Sequence, residues 1–336
     1  MDIGAVLETA ILQFIGFNAC YYAIAAIGLN VQFGYAGLLN FGQAGFMAAG
    51  AYGLGQTVQI FEISLWWGLL IGIGYATFLG LLMGVPTLRL RSDYLAIVTI
   101  ASAEIVRLVV RSVKFRGQFG GTDGLTGFAR AYQQVGVDLG LDLAGQYGFW
   151  IFTFSGRNLW NLIVGWTLVA IFGTIVWLLM RSPWGRVLKA IREDEDAVRS
   201  LGKNVYSYKM QALILGGVIG SFAGMMLALG NATVQPDNFS RDLTFFVLTG
   251  LVLGGVAKVT GSIVGPMLFW FIYSFLDSFL RQLIDKPVRI GDFTLIQSTD
   301  VGVVVFMIMG VLLVLLMVYR PQGLFGNRKE MAFEGR

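Results

Sequence analysis

The sequence predicts an all-α, polytopic membrane protein with eight to ten transmembrane helices, about nine in number. Three observations predict it. Hydrophobic residues make up 56% of the 336 residues and charged residues only 13%, about half the charged share of a soluble domain. Glycine contributes 45 residues, which is typical of membrane helices that approach closely through small side chains. Apolar stretches of about 20 residues, the length that crosses a bilayer, recur along the chain.

Nine apolar stretches are predicted to be the spans, in chain order. They are 8–29, 36–57, 65–86, 93–111, 159–180, 210–231, 243–257, 262–280 and 299–319. The second is crowded with glycine and the seventh is only about 15 residues long. Each of these two is therefore a candidate for a broken or re-entrant helix, since irregular backbone at membrane depth survives only where protein or a water-filled path surrounds it.

The composition excludes several kinds of catalytic and metal site. The chain has no histidine, which excludes His-based triads, imidazole metal ligands and histidine proton relays. Its one cysteine, Cys20, cannot form an internal disulfide or a Cys-x-x-Cys redox pair. We expect no catalytic residue, cofactor or metal site. The net charge of +4 is attributed to the cytoplasmic loops of a membrane protein and not to nucleic-acid binding.

The distribution of Lys and Arg predicts the orientation of the spans in a single transmembrane domain, 1–336. The basic segment 181–209 and the tail 320–336 are predicted to be cytoplasmic. The N-terminus then lies outside, and so does the long segment 112–158, because long loops are translocated largely regardless of charge. One group of basic residues opposes this assignment, since it leads into the external segment: Arg107, Arg111, Lys114 and Arg116.

The predicted cytoplasmic segment after the fifth span contains an amphipathic helix. Ser182 and Pro183 suit its start and Gly202 suits the left-handed residue that ends it, so one helix is expected over about 183–201. Apolar residues recur on one face at helical spacing: Trp184, Val187, Leu188, Ile191, Val198 and Leu201. One interpretation is a helix lying in the lipid headgroups. The other is a docking surface for a soluble partner, which the acidic run 193–196 favours because anionic lipid would repel it.

The same segment resembles the coupling loop of bacterial ATP-binding-cassette (ABC) importer permeases. Asp196-Ala197-Val198 stands where that loop has Glu-Ala-Ala, and Gly202 follows at the expected distance. Four further stretches are similar to the high-affinity branched-chain amino acid permease family, in the family's order: 34–52, 94–107, 121–125 and 320–326. The sequence has no Gly-x4-Gly-Lys-Ser/Thr phosphate loop, so it is not expected to hydrolyse ATP.

The resemblance implies a transporter subunit, not an enzyme, in the bacterial plasma membrane. Its implied partners are a second homologous permease subunit, two cytosolic ABC ATPases, an external solute-binding protein, membrane lipid and a small-molecule substrate. The implied substrate is a branched-chain or other hydrophobic amino acid. The resemblance also implies a set of residues that couple to the ATPases: Arg192, Glu193, Glu195, Asp196, Ala197, Val198 and Gly202.

Three departures from the family pattern leave the cargo open. Gly254-Gly255-Val256-Ala257 ends in alanine where glycine is expected, and Ser262 stands where proline is common. The loop before Gly121 reads Gly117-Gln118-Phe119-Gly120 in place of the usual Thr-Gly-Gly. Urea, short amides and other amino acids are therefore alternative cargoes. A secondary transporter, which would need no partner, is a less favoured alternative.

Polar side chains inside the predicted spans are candidates for the translocation path. Asn40 and Gln43 lie three apart in the second span, and Thr99 and Glu104 lie in the fourth. Intramembrane polar residues mark either a path or a contact between helices. Hydrogen bonding between helices is the favoured interpretation for Asn40 and Gln43. Glu104 and Arg107 are one helical turn apart and are expected to form an ion pair.

Overall fold

The computed structural model describes residues 3–88, 92–149, 152–283, 288–290, 293–296, 300–320 and 322–325. Within these ranges the protein is a bundle of α-helices with three short two-stranded antiparallel sheets. The predicted all-α polytopic fold is confirmed. Most of the predicted cytoplasmic tail, 326–336, lies outside the described residues.

The helices are numbered in chain order. They are α1 (Ile3–Phe14), α2 (Phe17–Leu29), α3 (Gln43–Gln59), α4 (Leu65–Thr87), α5 (Ser92–Arg111), α6 (Arg116–Phe119), α7 (Arg130–Asp138), α8 (Gly156–Arg181), α9 (Pro183–Glu193), α10 (Glu195–Ser200), α11 (Val205–Asn231), α12 (Arg241–Gly254), α13 (Val259–Leu283) and α14 (Val301–Tyr319). A π-helical turn, Asn30–Tyr35, continues α2, and 3₁₀ turns cover Val113–Phe115 and Pro236–Phe239.

The strands form hairpins and one long-range pair. β1 (Leu125–Thr126) pairs with β4 (Thr233–Val234), β2 (Gln146–Phe149) with β3 (Phe152–Ser155), and β5 (Val288–Ile290) with β6 (Phe293–Ile296). The β1–β4 pair joins the predicted external segment 112–158 to the chain that follows α11.

Five helical stretches of the described residues are long and apolar enough to cross a membrane. They are Ile3–Tyr35, Leu65–Thr87, Gly156–Arg181, Val205–Asn231 and Val259–Leu283. The predicted first span is interrupted between α1 and α2, where Gly16 is extended (φ −64°, ψ 173°), because glycine has little preference for the helix. The two doubtful spans are short helices, with 17 residues in α3 and 14 in α12.

The centre of the bundle consists of α2, α3 and α11, and most residues of each are buried. Gly28 of α2 and Gly216 of α11 lie backbone to backbone. A Cβ atom added to either would lie 2.4 Å from the carbonyl oxygen of the other. The glycine content therefore serves close helix approach, as its abundance predicts.

The segments 112–158 and 181–209 lie at opposite ends of the bundle. α11 has 27 residues, a length of about 40 Å. Its first residue, Val205, comes shortly after α10, and β4 begins two residues after its last residue, Asn231. Because β4 pairs with β1 of the segment 112–158, that segment adjoins the far end of α11.

Candidate functional site

The predicted coupling segment, 181–209, contains two helices and not the single helix expected over 183–201. Asp194 lies between α9 and α10 in an extended conformation (φ −153°, ψ 104°). Its Oδ1 accepts a hydrogen bond from the backbone N–H of Ala197 at 2.9 Å, which caps the start of α10. The predicted end is observed, because Gly202 is left-handed (φ 75°). The sequence did not predict this break, because Asp194 lies within a run of acidic residues.

The apolar face of the coupling segment packs mainly on the bundle. Leu188, Ile191 and Val198 are buried. The indole N–H of Trp184 donates to Oε1 of Gln211 in α11 at 2.8 Å. Leu201 is the exception in this face, with 79% of its surface exposed. Most of the apolar face therefore contacts protein, and Leu201 projects at the tip of the segment.

The acidic run is anchored by basic neighbours. Glu195 contacts the ammonium group of Lys209 and accepts from Arg199 Nη2 at 2.9 Å. Asp196 pairs with Arg199 at 3.1 Å. Glu193, Asp196 and Ala197 are exposed. These ion pairs fix α10 against the start of α11 and leave its outer face open.

Arg192 ties the coupling segment to the π-helical turn that follows α2. Its Nη1 donates to the carbonyl oxygen of Gly34 at 2.6 Å. Gly34 belongs to the π-helical turn that ends α2. A displacement of α9 would therefore act directly on the chain where it leaves the first span.

A set of buried polar side chains surrounds the segment 36–42, which links this turn to α3. We call the set the polar seam; its members are 0–1% exposed, and they are Asn30, Gln32, Asn40, Gln43, Thr99 and Thr244. Asn40 Nδ2 donates to Gln32 Oε1 at 2.6 Å, and Gln32 Nε2 donates to the carbonyl of Leu213 in α11 at 2.8 Å. The seam thus fastens the segment to the centre of the bundle.

Threonine side chains satisfy the backbone where α3 begins. Thr99 Oγ1 accepts from the N–H of Phe41 at 3.1 Å, and Thr244 Oγ1 accepts from the N–H of Ala44 at 2.9 Å. The first N–H groups of a helix have no partner within it. Side chains from α5 and α12 therefore stabilise a helix that starts inside the bundle.

Gln43 and Asn30 complete the seam. Gln43 Nε2 donates to the carbonyls of Ala25 at 3.3 Å and Gly216 at 3.4 Å, whereas its buried Oε1 has no partner among the described residues. Asn30 binds the turn before α13, because its Nδ2 donates to Lys258 O at 3.0 Å and its Oδ1 accepts from the N–H of Ala257 at 2.9 Å.

The structure brings three of the four predicted path residues together. Asn40, Gln43 and Thr99 belong to the seam, where they make the hydrogen bonds between segments that the sequence favoured for Asn40 and Gln43. Sequence reasoning missed Asn30, Gln32 and Thr244. For Asn30 and Gln32, the available signal was their polar side chains directly after the first predicted span.

Glu104 lies away from the seam, in a network of ion pairs. Its carboxylate binds Arg107 at 2.6 Å, so the expected pair is confirmed. Arg107 and Arg111 both contact Asp237, at 3.0 and 3.1 Å. This network therefore fastens the end of α5 to the turn before α12.

The chain is similar to known transport proteins over most of its length. The sequence profile of a family described as "Branched-chain amino acid transport system / permease component" matches residues 11–318. The chain is 31% identical over 307 residues to the high-affinity branched-chain amino acid transport system permease protein LivM of Escherichia coli (strain K12), covering 90% of this chain and 67% of that protein.

LivM of Salmonella typhimurium (strain LT2) gives the same 31% identity over 307 residues, with 90% of this chain and 67% of that protein covered. Among solved structures, PsaBC from Streptococcus pneumoniae in complex with Fab aligns over 100% of this chain and 96% of its own, with a TM-score of 0.41 and 12% identity.

Proposed function

The chain belongs to the family of permease components of branched-chain amino acid transport systems, and from this premise we propose that it carries a branched-chain or other hydrophobic amino acid. It is a multi-pass membrane protein and the permease subunit of an ABC importer. The observation that most supports coupling to an ATPase is the arrangement of this segment. The capped helix α10 is exposed on one face, and Arg192 of the adjoining helix α9 binds the turn that follows α2.

In the proposed assembly, two cytosolic ATPases hydrolyse ATP, a second homologous permease subunit completes the path, and an external solute-binding protein delivers the cargo. The coupling segment and the tail 320–336 face the cytoplasm, whereas the N-terminus and the segment 112–158 face outside. The Lys and Arg distribution supports this orientation. The position of 112–158 and 181–209 at opposite ends of the bundle also supports it.

The coupling residues act through two routes. The exposed side chains of α10 and Leu201 meet an ATPase. Movement of α9 then pulls on Gly34 through Arg192, and movement of α10 acts on the start of α11 through Glu195 and Lys209. α2 and α11 are the central helices of the bundle, so both routes lead to its core.

The polar seam braces the path in this proposal. Asn40, Gln43 and Thr99 hold the segment 36–42 and the start of α3 in the core, where the backbone and the helix end can meet the charged groups of an amino acid. A mostly neutral path suits a zwitterion with an apolar tail. Glu104, paired with Arg107, lies at the outer end of this path.

Charge reversal in α10 tests the coupling proposal. In the importer reconstituted with its partners, the double variant Glu195→Lys and Asp196→Lys should reduce ATP-driven leucine uptake to background. The variant Leu201→Asp should do the same while it keeps the ion pairs of Glu195, because Leu201 is largely exposed. The control is Asp138→Lys, an exposed acid of α7 at the other end of the bundle.

Uptake that is unchanged in both the charge-reversed variant and the Leu201→Asp variant would show that the docking assignment is wrong. Co-purification of the subunits separates lost coupling from lost assembly. Uptake of labelled leucine and of labelled urea tests the cargo. Vesicles without ATP test the alternative of a secondary transporter, which would still move substrate down its gradient.

A further inference from the structure

A cavity of about 620 Å³ lies at the end of the bundle away from α9 and α10. Residues of α2, α11, α12 and α14 line it, together with the 3₁₀ turn that precedes α12. Asn231, the last residue of α11, is one of them. The cavity therefore lies on the side that we assign to the outside of the membrane, and we call it the outer cavity.

The outer cavity has an aromatic floor and a polar rim. Tyr21 and Tyr22 are only 6% and 3% exposed, and their ring centroids are 4.7 Å apart. Phe246 adds a half-buried ring to the same wall. Asn231 and Asp242, by contrast, are exposed at the rim. A ligand with an apolar side chain and a charged end group matches a cavity with a buried aromatic surface and an exposed polar rim.

The polar groups of the rim are not used within the protein. The side chains of Asn231, Asn238 and Asp242 have no hydrogen bond or ion pair in the described part of the chain. Asp237, five residues before Asp242 in the sequence, is contacted by both Arg107 and Arg111. The carboxylate of Asp242 is thus left without a cation, while a neighbouring carboxylate has two.

We propose that the outer cavity is a receiving site for an α-amino acid with an apolar side chain. The ammonium group lies at the carboxylate of Asp242, the carboxylate group at the side-chain amides of Asn231 and Asn238, and the side chain on the rings of Tyr21 and Tyr22. Ammonium groups pair with carboxylates, and amide N–H groups donate to carboxylate oxygens. The cavity volume of about 620 Å³ lies within the range of small-molecule sites, about 300–1,000 Å³.

This inference rests on the proposed function for its choice of an amino acid. The rival occupant is the acyl chain of a lipid, which would enter beside Phe306, a residue of α14 that is 42% exposed. The rim favours the amino acid, because the phosphate of a lipid headgroup would meet the negative charge of Asp242.

The test measures leucine binding to the full chain. The chain is purified with its co-purifying permease and ATPase subunits in nanodiscs, without a solute-binding protein, and leucine is detected by saturation-transfer NMR. Asp242→Asn should weaken leucine binding about tenfold, because it removes a charge-assisted contact. Asn231→Asp should weaken it by a similar factor, since it places a negative charge at the carboxylate of leucine. N-acetylleucine, which has no ammonium group, should bind wild type about as weakly as leucine binds the Asp242→Asn variant.

Matched controls and outcomes follow from the same geometry. Asp138→Asn removes an exposed carboxylate outside the cavity and should leave leucine binding unchanged. Asp242 also suits the first turn of α12 through the helix dipole, so melting temperatures accompany every binding curve. The proposal is overturned if leucine does not bind, if both rim variants bind it as wild type does, or if mass spectrometry finds a phospholipid that leucine cannot displace.

Uptake measured in parallel separates this inference from the proposed function. If the importer takes up leucine with ATP but leucine binding does not change in the Asp242→Asn variant, the receiving site is wrong and the proposed function stands. If leucine binding depends on Asp242 but the complete importer does not take up leucine, the receiving site stands and the proposed cargo is wrong.

Discussion

The polar seam and the outer cavity contain similar side chains that are used in opposite ways. In the seam, Asn30 and Asn40 are fully buried and bonded to neighbouring segments. At the cavity rim, Asn231 and Asn238 are at least partly exposed, and their side chains have no partner among the described residues. Removing a buried, bonded group leaves its partner unsatisfied, whereas removing a free group costs the fold little. Stability measurements therefore report on the seam, and ligand binding reports on the cavity.

The largest effect is expected at the glycine contact behind the seam. Gly216→Ala should destabilise the protein by about 3 kcal/mol, because overpacking a close contact forces the backbones apart. The new Cβ would lie 2.4 Å from the carbonyl oxygen of Gly28 and 2.6 Å from the side chain of Gln32. Denaturant titration of the purified chain in detergent measures the free energy of unfolding.

Gly74→Ala is the matched control for this contact. Gly74 lies in α4 and has no atom within 4 Å of the added Cβ, so alanine should stabilise the helix by about 1 kcal/mol. Equal effects of the two substitutions would mean that α2 and α11 do not pack as tightly as described.

A pair of asparagines tests the comparison directly. Asn40→Ala should cost about 2 kcal/mol, because Gln32 Oε1 and the N–H of Gly42 would both lose a buried partner. Asn231→Ala should change the free energy of unfolding by less than about 0.5 kcal/mol. The same denaturant titration measures both, and leucine binding is measured beside it. The contrast between seam and cavity fails if the two variants are equally stable.

The sequence indicated part of the seam and nothing of the cavity. Asn40, Gln43 and Thr99 were visible as polar residues within apolar stretches. Asn30 and Gln32 lie in a π-helical turn beyond the predicted end of the first span, and apolar length gives no signal for such a turn. The cavity is lined by α11 and α12, which are neighbours in the chain, and by α2 and α14 near its two ends. Its composition is therefore a property of packing and not of any one segment.

The coupling segment shows the same limit on a smaller scale. Pro183 and Gly202 are strong local signals, and the helical region begins at Pro183 and stops before Gly202 as they predict. The break at Asp194 depends on which of four adjacent acids turns its side chain back to a helix N–H. Asp194 and Asp196 are both suited to start a helix, so spacing alone could not choose between them.

A smaller effect is expected where a threonine caps α3 from another helix. Thr244→Val should cost about 1 kcal/mol, because the N–H of Ala44 would lose its partner inside the core. Thr249→Val is the control on the same helix, since Thr249 bonds to the carbonyl of Phe245 one turn earlier and its loss leaves no N–H unpaired. The difference between the two free energies of unfolding measures the cap alone. If the two variants have the same free energy of unfolding, water has replaced the Thr244 hydroxyl at the N–H of Ala44. The seam is then accessible to water despite its burial.

The smallest effect is expected at the turn that Asn30 holds, where the sequence has Ala257 in place of the glycine common in the family. Ala257 is left-handed (φ 61°), a conformation that disfavours any residue with a Cβ. Ala257→Gly should therefore stabilise the protein by about 0.5 kcal/mol, the relief of strain less the greater freedom of glycine in the unfolded chain. Ala232, which follows Asn231 near the cavity, has a similar φ of 55°, and Ala232→Gly should give a similar gain. Ala101→Gly, in the exposed part of α5, should instead cost about 1 kcal/mol. The result could instead be that Ala257→Gly lowers the free energy of unfolding while Ala232→Gly raises it. That would show that the backbone must be more rigid at the seam than near the cavity, because the N–H of Ala257 must stay bonded to Asn30 Oδ1.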